Sequence, residues 1–167
     1  MLSYLIGFAG FLLTAVLQMS VFSQWKILSG SADIILLFII AWCLQDRSKW
    51  LWLLVVIMAG IAGTVSALPA YISVIVYLIV YRASRLVQAR LMQSPLLGML
   101  VLTFGATLLQ IILNLAYLFV TQVNLNFNDA LVEVVLPSVL LNMLLAIPVH
   151  AIVRETAHYA FPKGVEA

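Results

Sequence analysis

Long apolar runs separated by short polar clusters organise the whole chain. The first extends from Leu2 to Phe22 and ends at Ser23-Gln24-Trp25-Lys26. A second, Ala32 to Gln45, lies between Ser29-Gly30-Ser31 and Asp46-Arg47-Ser48-Lys49. Its 14 residues rise roughly 21 Å as a helix, short of a hydrocarbon core of about 30 Å, so either the preceding residues from Trp25 to Leu28 contribute or the bilayer thins locally. The stretch from Trp50 to Tyr81 is uncharged but holds Pro69, and a proline disfavours helix at the residue before it. It divides into two short helices. Pro95 opens a fifth run to Val120 in the first-turn position that tolerates proline, and a polar stretch, Thr121 to Asp129, precedes a sixth from Leu131 to Val153. The pattern predicts one transmembrane domain over 1–167 with six short helices, at about 2–22, 28–45, 50–67, 69–82, 95–120 and 131–153.

Composition sharpens this. Hydrophobic residues make up 65% of the chain and charged residues 8%, against about 45–50% and 25% in ordinary soluble domains. A soluble domain could not hide so much apolar surface. Soluble, disordered and nucleic-acid-binding classes are excluded, and spanning strands would alternate rather than run continuously apolar. The expected class is an all-α integral membrane protein. The first run, with no basic region before it, reads as a retained span rather than a removed signal peptide. Cys43, alone in the chain, reads as a small core residue.

The charges orient the spans. With six helices both termini share one side, which then collects Arg47, Lys49, Arg82, Arg85, Arg90, Arg154 and Lys163. The other side keeps only Lys26. The positive-inside rule makes the basic side cytoplasmic, and with it both termini. Trp25, Trp42, Trp50 and Trp52 fall near the predicted helix ends, where amphipathic rings prefer the headgroup level.

Catalytic signatures are missing. There is no HExxH, phosphate loop or cysteine cluster, and His150 and His158 have no acidic or cysteine partner at metal spacing. Ser138 and His150 are twelve residues apart, roughly 18 Å along a helix axis, too far for a nucleophile–base pair. The sequence reads as a non-enzyme with no cofactor and no metal.

Four helices do carry small or polar stripes: Ser3, Gly7, Gly10, Thr14 and Gln18; Ala59, Gly63 and Ala67; Thr103, Thr107, Gln110 and Asn114; and Ser138, Asn142 and His150, interrupted by Pro148. Such stripes serve helix packing and interhelical hydrogen bonds, or else a ligand cavity or partner-docking face. Asp33 is placed to cap the second helix. The candidates for facing a partner or cavity are Gly7, Thr14, Gln18, Asp33, Gly63, Thr103, Thr107, Gln110, Asn114, Ser138 and Asn142. Arg82, Arg85 and Arg90 are expected in the inner headgroup layer, attracting anionic lipid.

The segment Leu136-Pro137-Ser138-Val139-Leu140-Leu141-Asn142-Met143-Leu144-Leu145-Ala146-Ile147-Pro148 resembles the last transmembrane segment of the rod shape-determining protein MreD family. Members tend to carry Ser–xx–xAsn–xLLAxP there, followed by a basic residue, as Arg154 is here. Gln18, and Asp33 opening a helix rich in leucine and isoleucine, also resemble that family, as does the layout of six short spans with basic inner loops. The Gly-Phe and Asp-containing third-helix segment of many members is missing, and no Arg-Pro precedes Asp33.

The resemblance implies a multi-pass protein of the bacterial inner membrane, a scaffold of the cell-elongation complex supporting lateral peptidoglycan synthesis. It would bind an MreC-like single-span protein, and through it MreB, RodA and a class B penicillin-binding protein. The family is also similar in fold to the substrate-capture (S) subunits of energy-coupling-factor vitamin transporters. That suggests an alternative function as such a subunit, which requires a largely enclosed pocket with convergent polar groups.

Overall fold

A computed structural model describes residues 2–22, 26–27, 30–45, 51–65, 69–90, 94–122 and 131–160. Helix α1 (Leu2–Leu17) opens into a wider π-type turn, Gln18–Phe22. Two short strands follow, β1 (Lys26–Ile27) and β2 (Gly30–Ser31), paired antiparallel with Lys26 opposite Ser31 and Ile27 opposite Gly30. Then come α2 (Ile34–Gln45), α3 (Leu51–Val65), α4 (Ala70–Arg90) and α5 (Pro95–Val120). A second π-type turn, Leu131–Val135, leads into α6 (Leu136–Ala160).

Six α-helices thus make up almost all of the described chain. Ala70–Gln88, Pro95–Val120 and Leu131–His158 are long and apolar enough to cross a membrane, and Leu5–Ser20, Ile34–Gln45 and Leu51–Gly63 are shorter apolar helices. Large apolar side chains also face outward, among them Leu13, Ile112, Leu140, Leu144 and Ile152. In water that would be a liability; against lipid tails it is the expected surface. The chain is a helical membrane protein.

Helix α2 forms the centre. Every residue from Ile34 to Cys43 is buried, as expected of a helix that is apolar all the way round. Helices α1, α4, α5 and α6 pack around it. Phe38 and Trp42 stack with centroids 5.9 Å apart, and α1 approaches them through its glycines: a Cβ on Gly7 would lie 2.8 Å from the Trp42 ring, and one on Gly10 would lie 3.0 Å from Phe38. Helix α3 packs chiefly on α4. There a Cβ on Gly63 would lie 2.5 Å from the Ala70 backbone.

The structure departs from the sequence expectations at several places. The second helix starts at Ile34 rather than near residue 28, because Gly30 and Ser31 pair in the small ladder and Asp33 caps the helix. At 12 residues α2 rises about 18 Å, short of a hydrocarbon core of about 30 Å, so a crossing at α2 requires the bilayer to thin locally. Helix α4 runs on to Arg90 instead of ending near 82, since no glycine or proline interrupts Ala83 to Gln93. Helix α6 continues through Pro148 to Ala160 rather than stopping at 153. Trp42 is buried in the core, stacked on Phe38. Trp52 is exposed, while Trp25 and Trp50 lie outside the described residues.

Candidate functional site

A helix leaves its first N–H groups without intrahelical acceptors, and at membrane depth water cannot be relied on to satisfy them. At the head of α2, side chains from neighbouring helices do so. Asp33 Oδ1 accepts the Leu36 N–H at 2.9 Å, the N-cap bond its position predicts. The Asp33 N–H donates to Asn142 Oδ1 of α6 at 2.8 Å, and the Ile34 N–H donates to Gln18 Oε1 at the end of α1 at 2.9 Å. One step earlier, the Ser31 N–H donates to Ser138 Oγ of α6 at 3.2 Å.

The side chains are themselves cross-tied. Gln18 Nε2 donates to the Ala32 carbonyl at 2.9 Å, and Asn142 Nδ2 donates to Thr107 Oγ1 of α5 at 3.0 Å. Gln110 Nε2, also on α5, donates to Asp33 Oδ2 at 2.9 Å. The Tyr77 hydroxyl of α4 lies 3.5 and 3.4 Å from the two carboxylate oxygens. A carboxylate removed from water is costly unless such donors surround it. Here both oxygens of Asp33 are occupied.

Helical spacing explains the convergence. Thr107 and Gln110 are three residues apart, and Ser138 and Asn142 four, so each pair shares a helix face. Both faces turn toward the same segment, residues 31–34. Six sequence candidates therefore meet in one knot: Gln18, Asp33, Thr107, Gln110, Ser138 and Asn142.

The others do not join it. Thr14 is buried and bonds back to the Gly10 carbonyl at 2.7 Å. Thr103 is fully buried, and its hydroxyl has no partner among the described residues. Asn114 lies one turn beyond Gln110, outside the network. Gly7 and Gly63 sit on contacts within the chain, against Trp42 and Ala70. Of the headgroup candidates, Arg82 is exposed, and the Arg85 guanidinium lies 5.3 Å from the centroid of the Tyr81 ring. Arg90 is the last residue of α4.

Two contributors escaped the sequence reading. Tyr77 was hidden in an apolar run, although a buried tyrosine usually finds a partner for its hydroxyl. Gln88 Nε2 donates to the Leu44 carbonyl at 2.9 Å, closing the opposite end of α2. Its place among arginines marked it only as part of a basic segment.

The knot offers little reactive chemistry. Its one carboxylate is held by an N–H, an amide and a phenol, and its one serine accepts a backbone N–H. Among the described residues no group of three or more His, Cys, Asp or Glu side chains could hold a metal ion. Fold and site together define a helical membrane protein in which Gln18, Asp33, Thr107, Gln110, Ser138 and Asn142 anchor a short central helix. No protein-family model, curated protein or solved structure matches the chain.

Proposed function

We propose that this chain is a non-enzymatic scaffold of a bacterial cell-elongation complex, crossing the cytoplasmic membrane six times with both termini inside. In this reading it resembles the MreD family and binds an MreC-like single-span protein, and through it RodA, a class B penicillin-binding protein and, indirectly, MreB. One observation carries the choice over a vitamin-capturing subunit. The convergent polar groups such a subunit would turn toward a ligand are taken up around Asp33 by bonds within the chain. What faces outward from α1, α5 and α6 is largely apolar, with Leu13, Val101 and Leu144 among the exposed residues. Association of helices in lipid rests on close packing across such faces.

Co-purification in mild detergent tests the function. A tagged MreC-like protein should retain this chain, and depletion should round rod-shaped host cells. Tight binding of a vitamin by the purified protein, with cell shape unaffected by depletion, would replace the proposal with the capture-subunit alternative. Topology is tested separately by cysteine labelling in a Cys43→Ser background. A periplasmic reagent should modify Gln122→Cys, at the end of α5, and spare Thr156→Cys, near the end of α6. Equal labelling of the two would exclude six crossings.

A further inference from the structure

At the other end of α5 lies an open groove of about 480 Å³ between the first turn of α5 and the C-terminal half of α6. Its apolar wall includes Leu96, Leu97 and Ile147, and its polar wall is Ser94, His150 and Arg154. Three independent features of that polar wall point to a ligand.

Firstly, His150 is 4% exposed and lines the groove, yet neither ring nitrogen has a hydrogen-bond partner among the described residues. Buried polar groups are nearly always bonded, so an imidazole orphaned at both nitrogens calls for an explanation. Secondly, the start of α5 is uncapped. Ser94 occupies the N-cap position but its side chain makes no capping bond. The first helical bond runs from the Gly98 N–H to the Ser94 carbonyl, which leaves the N–H groups of Leu96 and Leu97 without intrahelical acceptors. That terminus carries the positive end of a 26-residue helix dipole. Thirdly, Arg154 is exposed, one helical turn beyond His150 and at the mouth of the same groove.

An N–H pair at a helix start, an imidazole N–H and a guanidinium together fit a phosphate. The apolar wall continuing alongside fits an acyl chain. We infer that this groove binds an anionic phospholipid, its phosphate held by His150, Arg154 and the first turn of α5 and its chain laid along Leu96, Leu97 and Ile147. The site is distinct from the Asp33 knot and does not depend on the scaffold reading. Arg154 supplies attraction at the membrane surface, and the buried His150 ring offers the phosphate an N–H donor.

Native mass spectrometry of the full-length protein in detergent tests this, with phosphatidylglycerol, phosphatidylcholine or inorganic phosphate added. Wild-type protein should retain phosphatidylglycerol about fivefold or more over phosphatidylcholine. Arg154→Gln and His150→Leu should each bring the two lipids close to parity. Arg154 is exposed, so its replacement reports on the site even if the His150 variant does not fold. Undiminished preference in Arg154→Gln would overturn the site. Displacement of the lipid by inorganic phosphate at equal concentration would overturn the lipid assignment in favour of a free anion.

Discussion

Asn142 accepts the backbone N–H of Asp33 at 2.8 Å across 109 residues of chain, and its own amide donates to Thr107 at 3.0 Å. One side chain thus joins α6, α5 and the head of α2. Asn142→Leu would orphan a backbone donor and a buried hydroxyl together. The expected loss is about 1–2 kcal/mol, between the mean for interhelical bonds in membranes and the upper cost of an unmet buried donor. Asn114→Leu, on α5 but outside the network, should change the unfolding free energy by less than about 0.5 kcal/mol. Similar losses in the two variants, followed by denaturant unfolding in detergent, would refute the anchoring role.

Two glycines on α3, three residues apart, should respond in opposite directions. A Cβ on Gly63 would meet the Ala70 Cα and Cβ at 2.5 Å, and a main chain cannot give way as a flexible side-chain tip can. Gly63→Ala should therefore destabilise by about 1–3 kcal/mol through overpacking. A Cβ on Gly60 meets nothing within 4 Å. Gly60→Ala should be neutral or stabilising by up to about 1 kcal/mol from helix propensity. Thermal unfolding of the two variants in one detergent decides the matter.

Much of this architecture is legible in the sequence, and the exceptions have identifiable causes. Pro69 and Pro95 mark real helix starts because proline constrains the backbone locally. The stripes containing Thr107, Gln110, Ser138 and Asn142 point to a shared contact because helical spacing fixes which residues share a face. What the stripes do not reveal is their common target. Whether Gln110 meets a partner, a ligand or Asp33 depends on packing between segments 77 residues apart. The start of α2 is not legible for a similar reason: Gly30 and Ser31 join a ladder whose partner strand lies outside the apolar run. Tyr77 left no mark, since an aromatic ring in an apolar helix looks like any other core residue.

Gln122 closes α5 in the left-handed region, with φ of 57° and its N–H donating to the Phe119 carbonyl at 3.2 Å. Helices commonly end in this way with glycine, which has no Cβ to crowd the following carbonyl. Gln122→Gly should raise stability by about 0.5–1 kcal/mol, the left-handed penalty less the entropy glycine adds to the unfolded chain. Gln122→Ala keeps the Cβ and should bring no gain. A melting temperature that rose equally in both variants would show that the side chain, and not the backbone, is strained.

The two donors that other helices send to the Asp33 carboxylate are unequal, and their geometry predicts how unequal. Gln110 Nε2 approaches Oδ2 at 2.9 Å, a well-formed bond, while the Tyr77 hydroxyl stays 3.4 Å or more from either oxygen. Hydroxyl bonds favour about 2.7–2.8 Å, so the phenol contributes a weak contact and the amide a strong one. Gln110→Leu should cost about 1.5–3 kcal/mol, the range for bonds to charged groups. Tyr77→Phe should cost less than about 0.5 kcal/mol, because the fully buried ring stays packed and only a long bond is lost. Asp33→Asn provides the complementary test. The amide oxygen can still cap the Leu36 N–H, and Gln110 can turn its own oxygen toward the new amide nitrogen, so the loss should be smaller than for Asp33→Leu, which also forfeits a helix cap. If Tyr77→Phe proved as damaging as Gln110→Leu, the amide would not be the dominant support of the carboxylate.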